Sequence, residues 1–215
     1  MGIDDRPWNR KREVDMKIGV RLVCLMFVLQ ACGQQIPLTE EELALIPYKG
    51  NETLTFKSNL GERDTIQLKD LRFGYHDGPE RLRYYGQVAT IYGDFSDPNP
   101  PSGKHRYVYG HVFSIDAATP ESETMVGIHV SAKNAHFYGP NNFKLTQFDS
   151  IPQIKMKIKD SVLLDVLVIN ADTTKKRNYY YYKTRRNFIT TVYWSRSEGV
   201  VKYVKKDGEV WTKDN

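Results

Sequence analysis

From Tyr48 onward, apolar and polar residues alternate with a period of two, not with the three-to-four spacing of a helix. Thr53-Leu54-Thr55-Phe56-Lys57-Ser58 puts Leu54 and Phe56 on one side of an extended chain. After a reversal over 59–64 that contains Gly61, the pattern resumes in Thr65-Ile66-Gln67-Leu68, which predicts a β-hairpin. The same pattern predicts strands over 82–92, 107–115, 125–131, 154–158, 163–169, 179–183, 188–195, 199–205 and 209–212. Turn chemistry separates them: the proline-rich run from Asp97 to Gly103, then Gly139-Pro140-Asn141-Asn142, then Asp207-Gly208. Residues 163–169 are apolar on both faces except at Asp165, which predicts a central strand. Tyr179 to Tyr182, flanked by lysine and arginine, reads as an edge strand or an exposed face.

Helical signals are sparse. Thr39 followed by Glu42 is a capping-box pair, and 41–46 before Pro47 has room for a short helix. The fold expected is therefore mainly β: an antiparallel sandwich or a curved sheet forming a partly closed barrel, with one short N-terminal helix. No repeat or internal boundary interrupts 48–215, which reads as a single β-rich domain.

The opening of the chain follows a different logic. Met16-Lys17-Ile18-Gly19-Val20-Arg21 supplies a cationic start, and Leu22 to Leu29 is an apolar run much shorter than the ~20 residues that a membrane-spanning helix needs. Residues 1–31 thus read as a signal peptide. Asp4, Asp5, Glu13 and Asp15 are poor material for a signal start and point to Met16 as the true initiator. Leu29-Gln30-Ala31-Cys32 resembles the bacterial lipoprotein signal, which implies cleavage before Cys32 and acylation of its sulfur and new amino group. By the same resemblance, Gly33 instead of an aspartate implies the outer membrane, and the lack of acidic residues over 33–37 implies its periplasmic face, with the cell surface as the alternative. Residues 32–47 would then be a lipid-anchored tether, 33–38, followed by the short helix.

Composition narrows the remaining choices. Hydrophobic residues make up 40% of the 215 and aromatic ones 12%, enough for a core and against disorder. The formal charge of +5 overstates basicity, because the first 31 residues hold six of the 31 basic and four of the 26 acidic side chains. The remaining chain carries +3 and gives no reason to expect nucleic acid. Cys24 leaves with the signal, so the domain must hold together without a disulfide.

Motifs for catalysis are missing. The five histidines, His76, His105, His111, His129 and His136, show no zinc-type spacing, so neither a metal nor any other cofactor is expected. Val126, Ile128 and Val130 form an apolar strand face that leaves His129 on the opposite, wetter side. No nucleophile elbow, cysteine nucleophile or phosphate loop is found. Asp149, Asp160 and Asp165 are carboxylates without a spacing that pairs them, and the first two read as turn residues. No enzyme is expected.

The most unusual segment runs from Lys175 to Arg186 and interleaves cations with tyrosines. Lys175, Lys176, Arg177, Tyr180, Tyr182 and Arg185 are candidates for contact with an anionic glycan, a lipid headgroup or a partner protein. The alternative is a β-hairpin whose alternate tyrosines are half buried and whose lysines guard an edge.

Two stretches resemble small Bacteroidota lipoproteins, a family that implies no particular activity. They are Ile46-Pro47-Tyr48-Lys49-Gly50 leading into Leu54-Thr55-Phe56, and 192–203 with Asp207-Gly208-Glu209-Val210-Trp211. Within the latter, Val192 and Trp194 share a face, Gly199 permits a tight reversal, and Trp211 is a large anchor. Asp-Ser/Thr-apolar triplets at Thr65, Ser150, Ser161 and Thr173 resemble the sites that Bacteroidota O-glycosylate on exported proteins. The closing hairpin also resembles, at the level of fold, curved-sheet carriers of acyl chains such as the lipoprotein-localisation factors. Two functions are therefore expected: a non-enzymatic envelope lipoprotein that binds at its surface, or a carrier of acyl chains or another hydrophobic ligand. A filled interior and an apolar cavity distinguish them.

Overall fold

The computed structural model describes residues 34–75, 84–95, 108–132, 135–137, 142–184 and 188–214. The signal segment, Met16, Cys32, His76, His105, Arg185 and the turns at 97–103 and 139–141 lie outside the described residues, as do the side chains of Arg177 and His136.

The chain is mainly β, and its strands form one curled half-barrel sheet, not two stacked sheets. In chain order the strands are β1 Gln34–Ile36, β2 Thr53–Ser58, β3 Arg63–Leu68, β4 Arg72–Tyr75, β5 Tyr84–Phe95, β6 Val108–Asp116, β7 Met125–Ile128 and β8 Ser131–Ala132. They continue with β9 Ala135–Phe137, β10 Asn142–Lys144, β11 Gln153–Ile158, β12 Ser161–Asn170, β13 Phe188–Ser195, β14 Gly199–Lys205 and β15 Val210–Lys213. The main path runs β10-β7-β6-β5-β3-β2-β15-β14-β13-β12-β11, antiparallel at every step. β1 and β4 lie along β5, β1 being parallel to it, and β9 pairs with β8 and with the start of β13.

Alternation sets the faces. Leu54, Phe56 and Ser58 are buried along β2 while Thr53 and Lys57 are exposed, and Ile66 and Leu68 repeat the pattern on β3. Each apolar side chain so buried contributes on the order of 1.5–3 kcal/mol. The curl is closed by contacts across the interior. Phe113 on β6 stacks on Trp194 on β13, with ring centroids 5.4 Å apart, although β5, β3, β2, β15 and β14 separate the two strands in the sheet. A flat sheet would hold those rings far apart; the accumulated twist brings them together.

Three short helices occur among the described residues: α1 Glu40–Leu43, α2 Leu145–Ser150 and α3 Lys176–Thr184. The capping box is present at α1, where Thr39 Oγ1 accepts from the Glu42 backbone N–H and Glu42 Oε2 accepts from the Thr39 N–H. Glu42 is buried, and its other oxygen accepts from Thr124 Oγ1 and the Ala118 N–H (3.0 Å), bolting the helix to the β6–β7 connection. Burial alone would raise this carboxyl's pKa, but the bonds outweigh it and hold it below the ordinary value. α2 links the β10 edge to the β11 edge, and Arg196 holds it through Asp149 (2.7 Å) and the face of Phe148 (5.1 Å).

Several expectations are corrected. Residues 179–183 form part of α3, not a strand. Residues 145–150 are a second unexpected helix, so Asp149 is helical; Asp160 does sit in the β11–β12 turn. The supposed tether over 33–38 carries β1, and Leu38 is buried with its N–H donated to Gln87 Oε1. The 163–169 run is only partly central: β12 has β13 on one side and the edge strand β11 on the other, so Val166, Leu167 and Ile169 are buried while Leu164 is 66% exposed.

Candidate functional site

Helix α3 is built from its N-terminal flank inward. Asp172 Oδ1 accepts from the Thr174 N–H (3.0 Å) and hydroxyl (2.5 Å), a side-chain turn that ends the extended chain after β12. Those bonds first, and the nearby Lys175 ammonium at 3.6 Å second, hold the Asp172 carboxyl below its ordinary pKa. Tyr182 faces the body of the protein. Its ring meets Phe188 edge-on at 5.4 Å, and the Lys206 ammonium lies 4.6 Å from its centroid. Lys206 Nζ also donates to the carbonyl oxygens of Tyr182 and Lys183, which places a cation at the negative end of the helix.

With Tyr182 turned inward, Lys176, Tyr179, Tyr180 and Lys183 fall at helical spacings on the outward face. All four are exposed, Tyr179 by 45% and Tyr180 by 62%, and Lys183 Nζ sits 4.7 Å from the Tyr179 ring. Two ammonium groups and two phenols on one face suit an anionic ligand that also has an apolar or planar surface.

Of the residues singled out from the sequence, Lys176 and Tyr180 belong to this face. Lys175 is paired with Asp172, and Tyr182 is consumed in docking the helix. Tyr179 and Lys183 were missed because a strand period assigns neighbouring tyrosines to opposite sides, whereas the helical period gathers them. The O-glycosylation candidates Thr65, Ser150 and Ser161 are exposed, and Thr173 is half-buried.

Other polar groupings have different characters. Asp165 accepts from Ser195 Oγ (2.9 and 3.1 Å), the Ser197 N–H (2.9 Å) and Ser197 Oγ (2.9 Å), tying β12 to the β13–β14 turn. Among the described residues, the hydrogen-bond partners of Ser195 Oγ are Asp165, Ser197 and the Glu198 N–H, and none is an imidazole. On the convex side of the sheet, His111 lies between Tyr92 (4.7 Å) and His129 (5.8 Å). His129 is therefore half-buried beneath a neighbour, not solvated as its strand position implied, and burial, with His111 second, pushes its pKa down to about 4. Among the described residues no group of three or more His, Cys, Asp and Glu side chains could hold a metal.

Two clefts, of about 260 and 390 Å³, adjoin Lys159 and Lys213. Both lysines are already engaged, Lys159 with Asp214 (3.1 Å) and Lys213 with Glu198 (2.8 Å). The described interior is occupied by Phe56, Phe113, Trp194, Tyr203 and Trp211, each 1% exposed or less.

Comparison with protein-family models, with curated proteins and with solved structures returned no match.

Proposed function

We propose that the protein is a non-enzymatic lipoprotein of the bacterial envelope. Acylated Cys32 anchors it to the outer membrane, on the periplasmic face, and the outward face of α3 binds an anionic envelope component. The observation that carries the binding role is the gathering of Lys176, Tyr179, Tyr180 and Lys183 on one exposed helical face. Two cations and two phenols exposed on one face offer an anionic ligand both charge and aromatic surface. The aromatic side chains that fill the described interior support surface recognition over the acyl-carrier alternative, which needs an enclosed apolar cavity. Anchoring is supported by the sequence from Lys17 to Cys32. Growing cells with a clickable fatty-acid analogue tests it: wild-type chain should take up label and sediment with membranes, and Cys32→Ala should take up none. Label retained in Cys32→Ala, or wild-type chain found unlabelled and soluble, overturns the proposal.

A further inference from the structure

The path from β5 to β13 crosses β3, β2, β15 and β14, with five antiparallel pairings in succession. An odd number of reversals makes β13 antiparallel to β5, so the start of β13 lies at the rim where β5 ends. β1 pairs with the beginning of β5, Gln34 opposite Tyr84. α3 precedes β13 directly and rests on Phe188 and on Lys206 in the β14–β15 turn. The N-terminal strand and the cation–tyrosine helix therefore occupy opposite rims of the half-barrel. β5 has 12 residues, which at about 3.4 Å each and a tilt of about 40° separates the rims by roughly 30 Å.

The chain between the anchor and the sheet is too short to undo that separation. Only Gly33 stands between Cys32 and Gln34, and two residues extend by at most about 7 Å. A tether of that length holds the β1 rim at the bilayer that carries the lipid, and with the half-barrel upright on it α3 stands a full strand length away.

We propose that α3 faces away from the anchoring membrane and that Lys176, Tyr179, Tyr180 and Lys183 bind an anionic polysaccharide, not the headgroups of that bilayer. This rests on the lipoprotein reading and narrows its ligand. Polysaccharide suits the face because sugar rings stack on phenols while carboxylate or phosphate substituents meet the ammonium groups.

The test uses mature acylated protein in phosphatidylethanolamine/phosphatidylglycerol vesicles, with Tyr180→Trp as reporter and wild type supplying the Trp194 and Trp211 background. Brominated lipids should leave the added emission unquenched. Soluble polygalacturonate should shift it, in a salt-sensitive manner, and Lys176→Ala/Lys183→Ala should weaken that binding by about ten-fold or more at low salt with an unchanged circular dichroism spectrum. Quenching of the reporter by brominated lipid overturns the proposal in favour of a membrane-binding face. Polygalacturonate binding that is absent, or unaffected by the double variant, overturns it as well. Failure of the lipoprotein reading shows separately, as an intact mass without acyl groups before any vesicle is added.

Discussion

The phenol of Tyr48 fills the space in which a side chain at Gly199 would stand, and its oxygen accepts the Val200 N–H at 2.9 Å. The segment that enters β2 and the closing hairpin thus meet in space: one supplies the ring and the other the bare turn that receives it. Tyr48 also meets Trp194 edge-on at 5.8 Å, so the turn, the interior tryptophan and the segment after α1 form one packed unit.

Gly199 is required on two counts, a φ of +69° and the proximity of the Tyr48 ring. Gly199→Ala should destabilise the fold by about 2–4 kcal/mol, combining left-handed strain with overpacking. Tyr48→Phe keeps the ring but leaves the buried Val200 N–H unpaired, a loss of about 1–3 kcal/mol. Urea midpoints of both variants check this; a Gly199→Ala midpoint equal to that of wild type would contradict it.

Trp194 should report the curl of the sheet. Phe113→Ala removes its stacking partner from the far side of the interior, with an expected cost of about 3–5 kcal/mol. Red-shifted tryptophan emission before global unfolding, absent in wild type, is the accompanying signature.

His129 gives the fold a pH dependence of its own. Its pKa in the folded protein is about 4, against ~6.5 when unfolded. Between those values the unfolded chain binds the extra proton, so stability falls as pH drops from about 6.5 towards 4, by up to about 3 kcal/mol. His129→Gln should flatten the stability profile across that window. Proton NMR should place the His129 titration near pH 4.

Glu42 and Asp165 act at lower pH. In both, hydrogen bonds outweigh the burial that alone would raise the pKa, and the carboxyl is held below its ordinary value. Their stabilisation is complete above the unfolded value of about 4–4.5 and is lost as pH falls through the folded values. Glu42→Gln and Asp165→Asn should each lower stability at pH 7, by about 1–3 kcal/mol, and by less at pH 3. Denaturation at the two pH values measures the difference.

Most of the sheet was legible because its strands obey a local rule. β13 and β14 begin and end where alternation and Gly199 place them, and the β2–β3 hairpin follows from Leu54, Phe56, Gly61, Ile66 and Leu68. The two missed helices depend on distant partners. α2 buries one side chain, Phe148, and is held by Arg196 some fifty residues later. α3 has four consecutive tyrosines with no period to read, and its docking is decided by Phe188 and Lys206. The binding candidates were accordingly found by composition, while the face that unites them became visible only with the helix. β1 was missed for a similar reason: three residues carry no pattern, and their pairing is set by β5, about fifty residues away.

The intact mass of the native protein extracted from membranes tests the lipid anchor most directly. The predicted result is a chain that begins at Cys32 and carries diacylglyceryl and amide-linked acyl groups, with any further increment assignable to glycans at Thr65, Ser150, Ser161 or Thr173. A chain that retains its first 31 residues and carries no lipid would contradict it.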